Sequence, residues 1–421
     1  MADTKEAAVA YIVAQVADLD LDDLVYLHCT HKFPKDETAE DACRPETLKV
    51  TQSLIADLPD LAGELVAPAF VPVRAQEGRP GGSQFGGIPS LPAGFDWPLS
   101  EHYTIGDAYK DVAPTSFKQL FKRKKPLPMT FIAQIALAEV SGLDPDLPDT
   151  GRLMIFMDHE LWAENGPSGI RIVWDQTPEA ELALAEAPET LVTLDELARI
   201  QHEEMEAESA ALVEDFLKDL DVGDSSLADS IDPRDDDEGE EDAEPPEEEG
   251  DETFSSFFLP PQIPVTFSRV WLPLNHHASE TAGTAYAQRV AGTGAVDVLY
   301  EAEVLSPEGG AADMPPYHQV LGKPIPEQSD PRHAAIERRL LGRANESHED
   351  YALMKEKAGI DTDEQMIAYM TAQASEYVLL LQLDVASFID MSTEGTTYIL
   401  LHRDDLAARR FENAIAIYQQ T

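Results

Sequence analysis

Apolar positions at the start of the chain recur at helical steps. Val9, Ile12, Val13 and Val16 share one face, and Leu48, Leu54, Ile55 and Leu58 mark a second such stretch. Residues 1–66 therefore read as a helical segment, with Asp3 and Glu6 placed to cap its start. Ala67–Ala75 changes character, alternating apolar residues with prolines. From Gln84 the chain is strand-and-turn material, and QFGGIPSLPAGFDWP sets glycine and proline among aromatics as a rigid loop does. Strands are predicted at Met129–Leu137, Arg152–Asp158 and Ile170–Trp174.

Thr193 and Glu196 have the spacing of a capping box that opens a long helix to about Leu220. Leu197, Ile200, Leu212, Phe216 and Leu220 give that helix an apolar side. The stretch from about Gly223 to Ser256 has dense like charge and little to bury, so disorder is expected there. Ile263–Leu272 reads as a strand, followed by helices at Pro331–Ala344, Glu349–Lys357 and Asp363–Ala374, the last with Thr362 and Gln365 as its capping box. Strands Tyr377–Val385 and Thr396–Leu401 come next, and a final amphipathic helix is predicted over Asp404–Gln419.

Two stretches share a skeleton. Gly87-Ile88-Pro89 precedes a strand carrying Gln134, then a turn at Gly151 and a second strand; Gly322-Lys323-Pro324 precedes a strand carrying Gln382, then a turn at Gly395 and a second strand. The step from Gln to Gly is 17 residues in one and 13 in the other, so the loops differ while the elements match. The fold class expected is α+β: an internally duplicated, sheet-containing unit of two pseudo-symmetric halves. Its boundaries are a helical segment 1–66, a first half 67–178, an insertion 179–260 and a second half 261–421. The insertion holds the helix 193–220 and the acidic arm 223–256.

The motifs GGIPSLPAGFDWP, PMTFIAQIAL, LPDTGRLMIFMD, HQVLGKPIPEQSD, LLLQLDV and LAARRFENAIAIYQQ occur in this order. Together they resemble the YwqG-like family, a bacterial domain of unknown function (number 1963). The resemblance implies an α+β fold built from a duplicated sheet unit. It brings no established chemistry. Some relatives are similar to proteins encoded beside secreted-toxin clusters, which implies an immunity or antitoxin-like role.

Charge changes the picture most. The chain has 80 acids against 30 bases, a net of −50, and Gln201–Glu252 alone holds 24 acids and 2 bases. Such a chain repels phosphate backbones, which argues against nucleic acid as a partner. No apolar run approaches a membrane span, and the N-terminus lacks a basic leader region. Two cysteines, Cys29 and Cys43, suit a reducing cytoplasm better than a disulfide scaffold.

Candidate chemistry is sparse. Gln134 and Gln382 each put an amide inside an apolar strand, where it must be hydrogen-bonded. Either they satisfy loop backbone, or with Trp97 and His318 they line a groove between the halves. The glycines of GRPGGSQFGG lack the following helix a phosphate loop needs, and Ser83 lacks a nucleophile-elbow frame. His28, Cys29, His31 and Cys43 do not have zinc spacing and read as incidental thiols in an interhelical loop; His276-His277 is a poor chelate. Asp158-His159 and His402-Arg403 end matching strands without a nucleophile or third ligand, and Asp404 is placed to cap the last helix.

Lys118, Lys122, Arg123, Lys124 and Lys125 form the one basic cluster, either a solvated loop or a dock for acidic residues of this chain or of a partner. The reading is a non-enzymatic cytoplasmic protein-binding module, immunity-like or regulatory, with a protein partner that the acidic surface would allow to be basic. It involves no cofactor, metal, nucleic acid or membrane. The alternative is a small-molecule-binding or hydrolytic protein using the groove between the halves.

Overall fold

The computed structural model describes residues 3–17, 20–33, 36–113, 118–158, 169–221, 256–274, 279–282, 318–343, 347–384 and 395–420. The acidic arm lies outside them apart from Ser256, as do His159 and His276-His277.

Three helices open the chain: α1 (Lys5–Ala17), α2 (Leu21–Lys32) and α3 (Glu37–Leu61). Asp20 and Asp36 cap the second and third by accepting the Asp23 and Ala39 amides. At the first, Thr4 rather than Asp3 accepts from the Ala7 amide. Ala8 and Ile12 of α1 pack on Leu54 and Leu58 of α3. Cys29 on α2 and Cys43 on α3 are joined by a disulfide, with Thr47 beside them. This corrects the expectation of loop thiols: both residues sit on helices and pair across them, so they give no support to a reducing compartment.

The centre of the molecule is the antiparallel pairing of β1 (Val66–Arg74) with β10 (Ile263–Pro273), from Val66↔Pro273 to Arg74↔Val265. Outward from β10 run β2 (Gln84–Phe85), β6 (Thr130–Ala136), β7 (Arg152–Met157) and β8 (Ile170–Asp175), giving the order β1-β10-β2-β6-β7-β8. A second sheet orders β11 (Tyr377–Asp384), β12 (Thr396–His402) and β13 (Ile415–Gln419). Bridges Phe70↔Val320 and Gln319↔Gln382 stitch it to β1. Two short pairs flank the first sheet: β3 (Ser90–Pro92) with β9 (Leu182–Leu184), and β4 (Leu99–Thr104) with β5 (Pro126–Pro128). All described pairings are antiparallel, with the helices set apart from them, so the architecture is α+β.

One core joins both sheets. Ile132, Ile135, Leu153, Ile155 and Ile172 meet Val378, Leu380, Leu381, Ile399, Leu401 and Phe411 within it. The helices are α4 (Ile105–Val112), α5 (Glu189–Asp221), α6 (Ser279–Ala282), α7 (Pro331–Leu341), α8 (His348–Ala358), α9 (Asp363–Ala374) and α10 (Arg403–Ala407). The box of Thr362 and Gln365 at α9 forms as expected.

Two predicted elements differ. Helix α5 begins at Glu189, where the Pro188 carbonyl receives the Leu191 and Val192 amides; Thr193 lies inside it and donates to the Glu189 carbonyl. The predicted helix 404–419 is α10, a turn and then β13. Arg409 at φ 62° ends the helical path, and Ile415–Gln419 instead pairs with β12.

Candidate functional site

The two strand glutamines are fully buried; the Gln382 amide is engaged at both ends, whereas Gln134 is engaged through its nitrogen and its buried oxygen has no partner among the described residues. Gln134 donates to the Gly82 carbonyl at 2.6 Å. The Gln382 oxygen accepts from the Gln319 side chain at 2.8 Å and the Ile325 amide at 3.0 Å. Between β6 and β11 lie β2, β10, β1 and the Gln319–Val320 bridge. His318 is buried beside Phe85, its ring centroid 5.7 Å away, and its Nδ1 accepts the Asp384 amide. Burial, opposed by the Asp384 charge, takes its pKa down to about 4, so the ring is neutral at pH 7. Trp97 donates to the Met129 carbonyl and stands edge-on to Phe156. The four residues serve separate local contacts.

Two further glutamines matter that the sequence reading passed over. Gln84 donates to the Gly86 and Ile88 carbonyls, and Gln319 to the Lys323 carbonyl, so each holds the glycine-rich turn that follows it. The signal was present as Gln-x-x-Gly-x-Pro, at Gln84–Pro89 and Gln319–Pro324.

The strand-end pairs also have local partners. His402 caps α10 by accepting the Asp404 amide, and Arg403 reaches Asp144 at 3.1 Å. Asp158 borders a cleft of about 270 Å³ with Glu101, His102, Arg171 and Glu412. Arg171 already lies 3.3 Å from Glu101, and among the described residues no serine, threonine or cysteine lines the cleft.

The basic cluster is built differently. Thr104 and Asp107 form a capping box at the start of α4, and hydrogen bonds from Lys110 and Thr104 hold the Asp107 carboxyl at about 2. The first-turn amides of this helix then take the loop backbone, Ile105 N to Lys125 O and Gly106 N to Arg123 O, both 2.9 Å. A side chain at position 106 would meet the Phe121 and Arg123 carbonyls at 2.5 and 2.6 Å, so close approach requires glycine. Leu120 and Phe121 turn inward to pack with Tyr109, Leu191 and Leu194. Lys118, Lys122, Arg123, Lys124 and Lys125 are all exposed. Among the described residues none of the five has an acid within 4 Å; Arg123 instead lies 5.7 Å from the centre of the Tyr109 ring. These backbone bonds tie the Arg123 and Lys125 carbonyls to α4 and leave the loop's charge outward.

From Ser83 to Gln419, spanning both sheets and the basic loop, the chain matches the model of a domain of unknown function, DUF1963. The chain belongs to the DUF1963 family. No curated protein matches it. The match leaves out α1–α3 and β1, although β1 pairs along its length with β10 and bridges to Val320.

The DUF1963 domain also holds a buried ionic cluster that the sequence did not signal. Arg332, with a side chain 1% exposed, bonds Asp330 through Nε and Nη2 and grips Glu280 with both terminal nitrogens; Lys323 adds a contact to Glu280 at 2.8 Å. Burial alone would raise both carboxyls, but the Arg332 hydrogen bonds and charge hold each at about 2. Ser279 Oγ lies 3.1 Å from His333 Nε2, a contact that acyl-transfer sites use. Here both Asp330 oxygens are taken by Arg332 and the Ser279 amide, so Asp330 does not orient the imidazole as a triad acid does. The cluster ties α6 to α7.

No helix among the described residues is long and apolar enough to cross a membrane.

Proposed function

We propose that this protein is a binding module that acts without catalysis, holding an acidic segment of another protein against the loop Lys118–Lys125. The observation that carries this reading is a cationic loop tied to α4 by backbone hydrogen bonds at Arg123 and Lys125, whose exposed basic side chains have no acid within 4 Å among the described residues, in a chain of net −50. Each exposed contact is worth about 0.2–1 kcal/mol, so several together give modest, salt-sensitive affinity. The alternative of a ligand between Gln134 and Gln382 has less support, because the Gln382 amide and the Gln134 nitrogen are engaged by neighbouring protein groups; the buried Gln134 oxygen is the one atom of the pair without such a partner among the described residues.

A labelled twenty-residue Glu/Asp-rich peptide should bind the full chain at low ionic strength, read by fluorescence anisotropy. Replacing Lys122, Arg123, Lys124 and Lys125 with serine should weaken that binding by about tenfold or more while Tm stays nearly unchanged. Equal binding by the two proteins would sink the reading.

We also infer that residues 66–420 are two copies of one unit. Read outward from the central pair, β10-β2-β6-β7-β8 corresponds to β1, Gln319–Val320, β11, β12 and β13. Gln84 opposes Gln134 as Gln319 opposes Gln382. The register slips between Phe131 and Ala133 in one copy and between Leu379 and Leu381 in the other, just before each glutamine. Left-handed residues follow at Gly86-Gly87 and Leu321-Gly322. Gly151 and Gly395 each leave room for a carbonyl, of Asp175 and of Gln419, to which an added Cβ would come within 2.5 Å.

If the copies meet through β1 and β10, the chain expressed as two pieces, 1–238 and 239–421, should co-elute on size exclusion and separate only in denaturant. Pieces that elute apart in buffer would contradict this.

A further inference from the structure

Helix α5 carries one apolar stripe at Leu191, Leu194, Ala198, Met205 and Leu212, stepping by 3, 4, 7 and 7 residues. Its first part is core: Leu191 and Leu194 are fully buried against Tyr109, Leu127 and Phe258. Its later part is bare. Met205 is 54% and Leu212 72% exposed, and every described side chain from Glu203 to Leu212 is exposed. At 1.5 Å per residue Leu212 lies about 27 Å along the axis from Leu194, so the helix outruns what covers its root. The charges beside the bare stripe have one sign. Gln201–Leu212 holds four glutamates and no lysine or arginine, and Arg199 before it is tied to Glu196 and Glu203.

We infer that the outer part of α5 is a docking helix for another protein whose groove is apolar on its floor and basic along its rim. The heptad step keeps Ala198, Met205 and Leu212 in line, as a helix-receiving groove requires. Charge selects the occupant. A second copy would set glutamates against glutamates, a repulsive pairing, whereas lysines or arginines flanking an apolar floor complement both features at once. A helix this acidic and unpacked gains most of its stability from such a partner. The surface is distinct from the basic loop and does not depend on it.

The probe is a designed 21-residue helical peptide with leucine at heptad positions a and d and lysine at e and g. It should bind the full chain at low salt, measured by fluorescence anisotropy. The double variant Met205→Gln, Leu212→Gln, which keeps the charge, should bind about tenfold or more weakly, since each apolar side chain loses its burial. A scrambled peptide of the same composition should also bind at least about tenfold more weakly. The four-serine variant of the basic loop should bind like the parent. Equal binding by the scrambled peptide or by the double variant overturns the inference, because attraction would then be charge alone. Self-association in sedimentation that the double variant abolishes overturns it in favour of a second copy. Absence of binding together with resistance of a Leu212→Cys variant to thiol labelling overturns it in favour of cover by the chain's own remaining residues.

Discussion

Replacing Arg332 with alanine is expected to destabilise the protein by about 3–5 kcal/mol, because it strands two buried carboxylates. Asp330 and Glu280 face no other cation than Lys323 among the described contacts, and Lys323 reaches only Glu280. Arg332→Met should cost no less, since the stranded charges rather than the lost volume dominate. The pH dependence has a definite sign. Both carboxyls are held at about 2 in the folded protein, below their ordinary values of 3.8 and 4.5. Their stabilising contribution is therefore complete above about pH 5 and is lost as pH falls through 4 towards 2. Without Arg332 burial raises both groups, so the loss of stability should begin nearer neutrality. Urea denaturation of parent and variant between pH 3 and 7 checks both statements. A cost under about 1 kcal/mol would mean that solvent already screens the cluster.

The buried glutamines should not be equal. Gln382→Leu removes the acceptor of both the Gln319 side chain and the Ile325 amide, each buried. At about 1–3 kcal/mol for each orphaned donor, the cost should fall at about 2–6 kcal/mol. Gln134→Leu orphans one carbonyl, that of Gly82, and should cost about 1–2 kcal/mol. Denaturant midpoints at constant m-value give the comparison. Equal costs would mean that the Gln319 amide finds another acceptor once Gln382 is gone.

Much of the fold could be read locally. Strands β6, β7, β11 and β12 are short apolar runs between glycine turns, and the cap of α9 follows from Thr362 and Gln365 alone. The C-terminal strand could not, because Ala407, Phe411, Ala414, Ile415 and Tyr418 fit a helical step, and only pairing with β12 decides otherwise. At α5 a plausible box at Thr193 outweighed Pro188, which makes the actual start. The disulfide joins residues 14 apart on two helices whose packing no periodicity specifies. The basic loop stood out as charge, but its attachment to α4 depends on Gly106 and on two first-turn amides of that helix. The Arg332 cluster was invisible because Glu280 lies 52 residues away in sequence.

The central strand pair carries a cost in time. During synthesis β1 is complete at Arg74, but its partner does not begin until Ile263. At about 5–20 residues per second, the ribosome needs roughly 10–40 s to supply β10. Through that interval the Val66–Arg74 edge has no strand to accept, and β2 lacks its neighbour on the same side. An apolar strand edge left open invites pairing with other chains. The early half therefore depends on α1 and α3, which pack at the start of β1, to keep it out of aggregates until the later half arrives.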